Sequence, residues 1–292
     1  MSLSAHRRAT LIGATAVLIW STLALLTDLS GAVPPFQLTA MAFVVAFCIG
    51  AVIQLKAGQS PFSSLKLPVP VWLVGVWGLF GYHFTYFVGL QNAPVIEASL
   101  ISYLWPLLIV LFSALLPGER LRWFHIAGAL CGFLGAFLLI TKGQSFTLDS
   151  QYTLGYLSAF ISALIWSSYS VLSRKFSEVP TSAVGSFCGA TAVLAAVCHV
   201  MFEETVMPMG WDWMAIVCLG LGPVGLAFFT WDYGMKHGNI KILGTLSYAA
   251  PLLSTLLLIA CGRTEASGSV FVACLLIVGG ALLSMLDALR SV

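Results

Sequence analysis

Apolar residues run along the chain in long stretches, separated by short connectors that carry polar residues and prolines. A helix needs about 20 apolar residues to cross the hydrocarbon core of a bilayer. Ten such runs can be marked, at 9–29, 36–55, 71–91, 95–116, 122–141, 154–173, 182–202, 213–235, 241–261 and 269–289. Helix breakers fill the gaps between them: Pro34-Pro35, Pro61 with Pro68 and Pro70, Asn92-Ala93-Pro94, Pro117-Gly118, Pro180 and Pro208. No connector is long enough for a separate soluble domain. The pattern predicts an all-α integral membrane protein with ten transmembrane helices in one membrane domain.

A second pattern lies over the first. Ile19-Trp20-Ser21 recurs as Ile165-Trp166-Ser167, and Ser102-Tyr103-Leu104-Trp105-Pro106-Leu107-Leu108 recurs as Ser247-Tyr248-Ala249-Ala250-Pro251-Leu252-Leu253. Gly118-Glu119 after the fourth run is echoed by Gly262 and Glu265 after the ninth, and Gly135-Ala136 by Gly280-Ala281. These matches share nearly one shift, half the chain, and divide it into a first repeat (1–146) and a second (147–292). Each half holds five runs, an odd number, so the second must enter the membrane inverted relative to the first. Two inverted-topology five-helix repeats are an architecture of secondary transporters, which expose one midplane site to each side in turn.

Composition narrows the class. The 292 residues are 59% hydrophobic and 8% charged, with mean hydropathy +0.98; a soluble domain carries about 25% charged residues. This excludes an ordinary soluble enzyme and a disordered tail, and also a nucleic-acid binder, which needs dense Lys and Arg for phosphate contacts. The seven cysteines are odd in number and form no C-x-x-C pair, so they read as small hydrophobes with neither metal nor disulfide role. No metal or cofactor is expected.

Charge placement sets the orientation. With the N-terminus cytoplasmic, all of the 13 Lys and Arg residues except Lys142 and Arg263 fall on the inner side. Both termini are therefore expected in the cytoplasm. Arg7-Arg8 before an apolar run is also the start of a secretory leader, but this run exceeds the usual 7–15 residues. It is read as a structural helix.

The early Ile-Trp-Ser (19–21) and the Tyr-x-x-Pro motifs at 103–106 and 248–251, followed by Gly and Glu, resemble the EamA-type branch of the drug/metabolite transporter superfamily. Tyr103-Leu104-Trp105-Pro106 and Ile19-Trp20-Ser21 are most similar to the aromatic amino acid exporters of bacterial inner membranes. That resemblance implies a multi-pass inner-membrane carrier; the Gly-x-x-x-Gly at 128–132 leaves open a monomer or a weak homodimer. Its partners would be the lipid bilayer and a small-molecule substrate, an aromatic or other neutral amino acid, exported by alternating access.

Candidate substrate contacts are the aromatic and polar groups at membrane depth. Trp20, Trp105 and Trp166 each fall within about 8 Å of the midplane at 1.5 Å per residue, away from the interfacial belts where Trp and Tyr gather. Tyr86, Tyr103, Tyr169 and Tyr248 are comparably deep, Tyr82 shares one stripe of the third run with His83 and Tyr86, and a buried hydroxyl or indole N–H needs a partner that lipid cannot supply. Either these groups face a polar cavity or they fill gaps between helices with local backbone partners. Ser21, Ser102 and Ser247 offer further hydroxyls, or simply permit close packing. Pro106 and Pro251 fall mid-run, where proline frees the carbonyl four residues back and kinks the helix; those carbonyls belong to Ser102 and Ser247.

Three ionisable residues are placed inside the membrane core by this reading. His83 is nearest the midplane and fits either a carboxylate or a proton. Glu97, one turn into the fourth run, suits ammonium steering or a helix N-terminus. Asp232 stands four residues before Lys236, the spacing of an ion pair. The first run has Trp20 at its centre and no carboxylate, which favours facilitated export over proton antiport. A broad drug or metabolite exporter, proton-coupled through His83, is the alternative. An intramembrane enzyme would need paired catalytic groups at depth, such as H-E-x-x-H, and the sequence has none.

Overall fold

The computed structural model describes residues 3–142, 147–263, 265 and 268–286. Among these the chain is built of helices and turns. Nine helical segments are long and apolar enough to cross a membrane: α1 (Ser4–Leu29), α2 (Pro35–Lys56), α3 (Val69–Asn92), α4 (Val95–Ser113), α5 (Trp123–Thr141), α6 (Ser150–Phe176), α7 (Ala183–Phe202), α8 (Trp211–His237) and α9 (Ile240–Ala260). A shorter apolar helix of 17 residues, α10 (Gly268–Ser284), follows. Residues 146 and 287–289, and with them the boundary of the first repeat and the end of the expected last span, lie outside the described residues, as does Arg290.

The burial pattern is that of a membrane protein. Leu11, Leu18, Val44, Leu73, Val193 and Leu275 are exposed, whereas Ser102, Ser162, Ser170, Asp232, Lys236 and Lys241 are buried. Apolar side chains meet the lipid, and polar groups turn inward, where they find partners.

Helices pack through glycines. A Cβ on Gly13 of α1 would stand 2.8 Å from the Gly234 Cα of α8, and one on Gly50 of α2 would stand 2.5 Å from the Gly185 Cα of α7. Gly128 of α5 meets the Gly280 carbonyl of α10, and Gly132 gives way to the Tyr248 ring. The Gly-x-x-x-Gly face of α5 is therefore consumed inside the molecule and is not free to meet a second copy. Beyond the pairs α1–α8, α2–α7 and α5–α10, α6 lies against α3 and α4, and α1 against α9.

Several helices are interrupted near mid-membrane. In α1 the break falls at Ser21–Thr22, where the hydroxyls bond back to the Leu18 and Ile19 carbonyls (2.6 and 2.8 Å), competing with the helix ladder. In α4 it falls at Tyr103–Leu104, and in α9 at Ser247–Tyr248. The expected proline kinks thus take the form of interruptions: Pro106 and Pro251 sit in the first turn of the resumed helix, where no N–H is needed. Two wide π-turns, Trp77–Gly81 in α3 and Gly222–Leu226 in α8, occupy matching places in the two halves.

Candidate functional site: an aromatic centre

The broken helices deliver indole rings to one point. Trp20, just before the break in α1, is 5.1 Å from Trp231, 5.8 Å from Trp166 and 6.1 Å from Trp105, centroid to centroid. Trp105 opens the resumed half of α4, and Trp166 lies within uninterrupted α6. Phe228 closes the group from α8 at 5.5 Å from Trp166. Trp166 in turn touches Tyr82 (5.3 Å) and Tyr169 (5.4 Å). The edge-on and tilted geometries are those aromatic quadrupoles prefer.

Local backbone features aim these rings. The π-turn of α8 presents the Pro223 carbonyl, which accepts the Trp20 indole N–H at 3.0 Å. The Trp231 indole donates to Ser170 Oγ at 3.0 Å. Gly78, in the π-turn of α3, leaves room for the Tyr169 ring, which a Cβ there would meet at 2.2 Å. Among the described residues, the indole N–H groups of Trp105 and Trp166 donate to no protein atom, although both rings are buried.

A second ring group stands beside the first. Tyr82 and Tyr86 stack at 5.8 Å with planes 5° apart, and His83 meets Phe43 edge-on at 5.2 Å. The Nδ1 of His83 is engaged by the Leu79 carbonyl at 2.7 Å, and the Tyr86 hydroxyl reaches Ser99 Oγ at 3.4 Å. Tyr82, His83, Tyr86 and Tyr103 keep part of their surface accessible. The tryptophans, by contrast, are packed ring on ring. Two clefts lie elsewhere, one of about 430 Å³ beside Arg8, Thr181 and Tyr233 and one of about 660 Å³ beside Ser60, Lys66 and Ser182; neither reaches the tryptophans.

The structure thus gathers Trp20, Tyr82, His83, Tyr86, Trp105, Trp166 and Tyr169 into one ring network, while Tyr103 packs against a second apolar cluster. Ser102 bonds to Ser162 (2.9 Å) and ties α4 to α6. Other candidates stand apart from the rings. Ser21 and Ser247 turn their hydroxyls back onto their own helices. Tyr248 is fully buried among Leu252, Ala273 and Ile277, and its hydroxyl accepts the Leu107 backbone N–H at 3.1 Å. Glu97 lies near the start of α4. Asp232 pairs with Lys236 at 2.8 Å and accepts from Thr181 at 2.7 Å.

Sequence reasoning missed Trp231, Phe228 and Phe43. Trp231 lies near the end of its apolar run; its i, i+3 relation to Phe228 was the available signal.

Fold and centre together define a multi-pass membrane protein with an aromatic, hydrogen-bonding interior. The profile of the EamA-like transporter family matches residues 7–141 and again residues 153–286, and the chain belongs to that family. It is 56% identical over 283 residues to the aromatic amino acid exporter YddG of Ancylobacter novellus, covering 97% of this chain and 98% of that one. Identity to the aromatic amino acid exporter YddG of Escherichia coli is 25% over 304 residues, covering 98% and 99%. The pseudopaline exporter CntI of Pseudomonas aeruginosa is 30% identical over 201 residues, covering 67% and 68%. A solved crystal structure superposes with a TM-score of 0.91 at 55% identity, covering 96% of this chain and 98% of the other. These are transporters, and the chain is a transporter and not an enzyme.

Proposed function

We propose that the protein exports aromatic and other neutral amino acids across the bacterial inner membrane by alternating access, down their gradient. In this reading ten spans form two five-helix halves, residues 1–146 and 147–292, inverted relative to each other, with both termini cytoplasmic. The family profile matching twice supports the halves. So does the packing: exchanging the halves turns α1–α8 into α6–α3 and α4–α6 into α9–α1, while α2–α7 and α5–α10 each exchange with themselves. The halves then meet at the ring network.

One observation carries the substrate assignment: the centre combines edge-on rings with the two indole N–H donors of Trp105 and Trp166, which among the described residues no protein atom uses. A flat aromatic side chain fits between rings, and a carboxylate fits the free donors. Tyr82, Tyr86 and Tyr103 line the approach, and a substrate ammonium is attracted to ring faces. His83, already held by Leu79, serves as a wall of the site. The similarity to a pseudopaline exporter favours a second reading, a broader metabolite range.

Purified protein in liposomes loaded with labelled Phe, Trp and unrelated metabolites, with and without a pH gradient, tests both. Phe and Trp are expected to cross without an imposed gradient. Trp105→Ala should lower their flux by about tenfold, since each ring contact is worth about 0.5–1.5 kcal/mol and several are lost. Passage of the unrelated metabolites alone would remove the amino acid reading.

A further inference from the structure

Each half carries three charged groups at or next to matching places, with their signs reversed. We infer that they are two reciprocal latches, one on each membrane face, and that the structure holds the cytoplasmic latch shut and the outer one half-made. The inference rests on the inverted two-half reading above.

The cytoplasmic latch is centred on an anion. Glu119 follows α4 directly after Gly118, which takes a positive φ of 81°. Its Oε2 lies 2.7 Å from Lys241 Nζ at the start of α9, and its Oε1 3.6 Å from Arg174 Nη1 at the end of α6. Lys241 also donates to the Arg120 carbonyl at 3.1 Å. Arg174 donates through Nε to the Met235 carbonyl at 2.9 Å, and through Nη2 to the Gly238 carbonyl. The Lys241, Arg174 and Glu119 side chains keep only 11%, 22% and 21% of their surface. One carboxylate thus ties the ends of α4, α6 and α9 to the turn between α8 and α9.

Exchanging the halves carries α4 to α9, α6 to α1 and α9 to α4. Arg263 directly follows Gly262, with its positive φ of 68°, as Glu119 follows Gly118, and stands two residues before Glu265. Asp28, ending α1, takes the place of Arg174, and Glu97, in the first turn of α4, stands one residue beyond the position that matches Lys241. The centre is now a cation facing two carboxylates. Only half of this set is joined: Arg263 Nη1 lies 3.4 Å from Asp28 Oδ2, with side chains 53% and 55% exposed. Glu97 Oε2 is buried and has no hydrogen-bond partner.

A buried carboxylate oxygen without a partner is costly, and a guanidinium has enough donors in its fork to serve two carboxylates. In the alternate state Arg263 bridges Asp28 and Glu97 and draws the outer ends of α1, α4 and α9 together, as Glu119 now does inside. The rings follow the same asymmetry, with Trp105, Trp166 and Trp231 buried and Tyr82, Tyr86 and Tyr103 still accessible.

A Glu97→Cys/Arg263→Cys pair in liposomes, with the cross-linked peptide identified by mass spectrometry, reads closure of the outer side without any substrate. Weakening the opposite latch with Glu119→Gln should speed that cross-link about fivefold, the shift that roughly 1 kcal/mol makes in a two-state population. A rate unchanged by Glu119→Gln, or no cross-link at all, overturns the inference whatever the protein exports. Glu97→Gln, free of added cysteines, should slow export without altering thermal unfolding, and the combined reversal Asp28→Lys, Glu97→Lys, Arg263→Glu should export faster than Glu97→Lys alone. Native export by Glu97→Gln, or no rescue by the combined reversal, also overturns it.

Discussion

Buried polar atoms are the residues' main constraint in this interior, because lipid provides neither donors nor acceptors. Trp20, Trp231 and Tyr248 each meet it with a long-range bond, to Pro223, Ser170 and Leu107 respectively. Leu107 is near the start of a resumed helix, where N–H groups have no ladder partner, so the Tyr248 hydroxyl acts as a cap delivered from the other half of the chain. Tyr248→Phe keeps the ring and strands that N–H. It should lower stability by about 1–3 kcal/mol, read as a fall in the thermal midpoint in detergent. An unchanged midpoint would mean that water or a shift of α4 satisfies Leu107 as well.

At the scale of elements, glycine decides which helices approach and interruptions decide where side chains point. Where α1 crosses α8, Gly13 and Gly234 leave backbone nearly on backbone. Gly13→Val puts two extra methyl groups and a Cβ into that crossing, and overpacking of this kind costs about 1–3 kcal/mol. Gly279 of α10 has open space around its Cβ position, so Gly279→Val should be tolerated in the same thermal assay. Equal effects of the two would mean that helix propensity, and not close approach, is being measured. The interruptions at Tyr103–Leu104 and Ser247–Tyr248 turn the following helix so that Trp105 reaches the rings while Tyr248 reaches α5 and α10. The two Tyr-x-x-Pro motifs therefore differ in what they deliver, because Ala250 stands where the first half has Trp105.

For the whole molecule, the proposed orientation makes a prediction. In the ten-span reading Arg7, Arg8, Lys175 and Lys236 fall on the face that carries the Glu119 network, and Lys142 and Arg263 on the other. A reporter active only in the cytoplasm should therefore work when fused at either terminus, and a periplasmic reporter at neither. The opposite result at one terminus would break the ten-span reading; at both, it would reverse the direction assigned to each latch.

Much of this was legible along the chain, for a physical reason: a bilayer imposes length and hydropathy on each span independently of its neighbours. The runs, the doubled Trp-Ser and Tyr-x-x-Pro motifs and the depth of Trp20, Trp105 and Trp166 follow from local pattern alone. So does the i, i+4 pairing of Asp232 with Lys236. Tertiary structure decided what depends on distance across helices: that Trp231 and Phe228 complete the ring network, that Tyr248 leaves it to cap α4, and that Glu119 is shared by Lys241 and Arg174 while Glu97 stands without a partner. A one-dimensional pattern records how deep a side chain sits. The direction it faces, and what it meets there, is set only when the broken helices turn and the glycine crossings close.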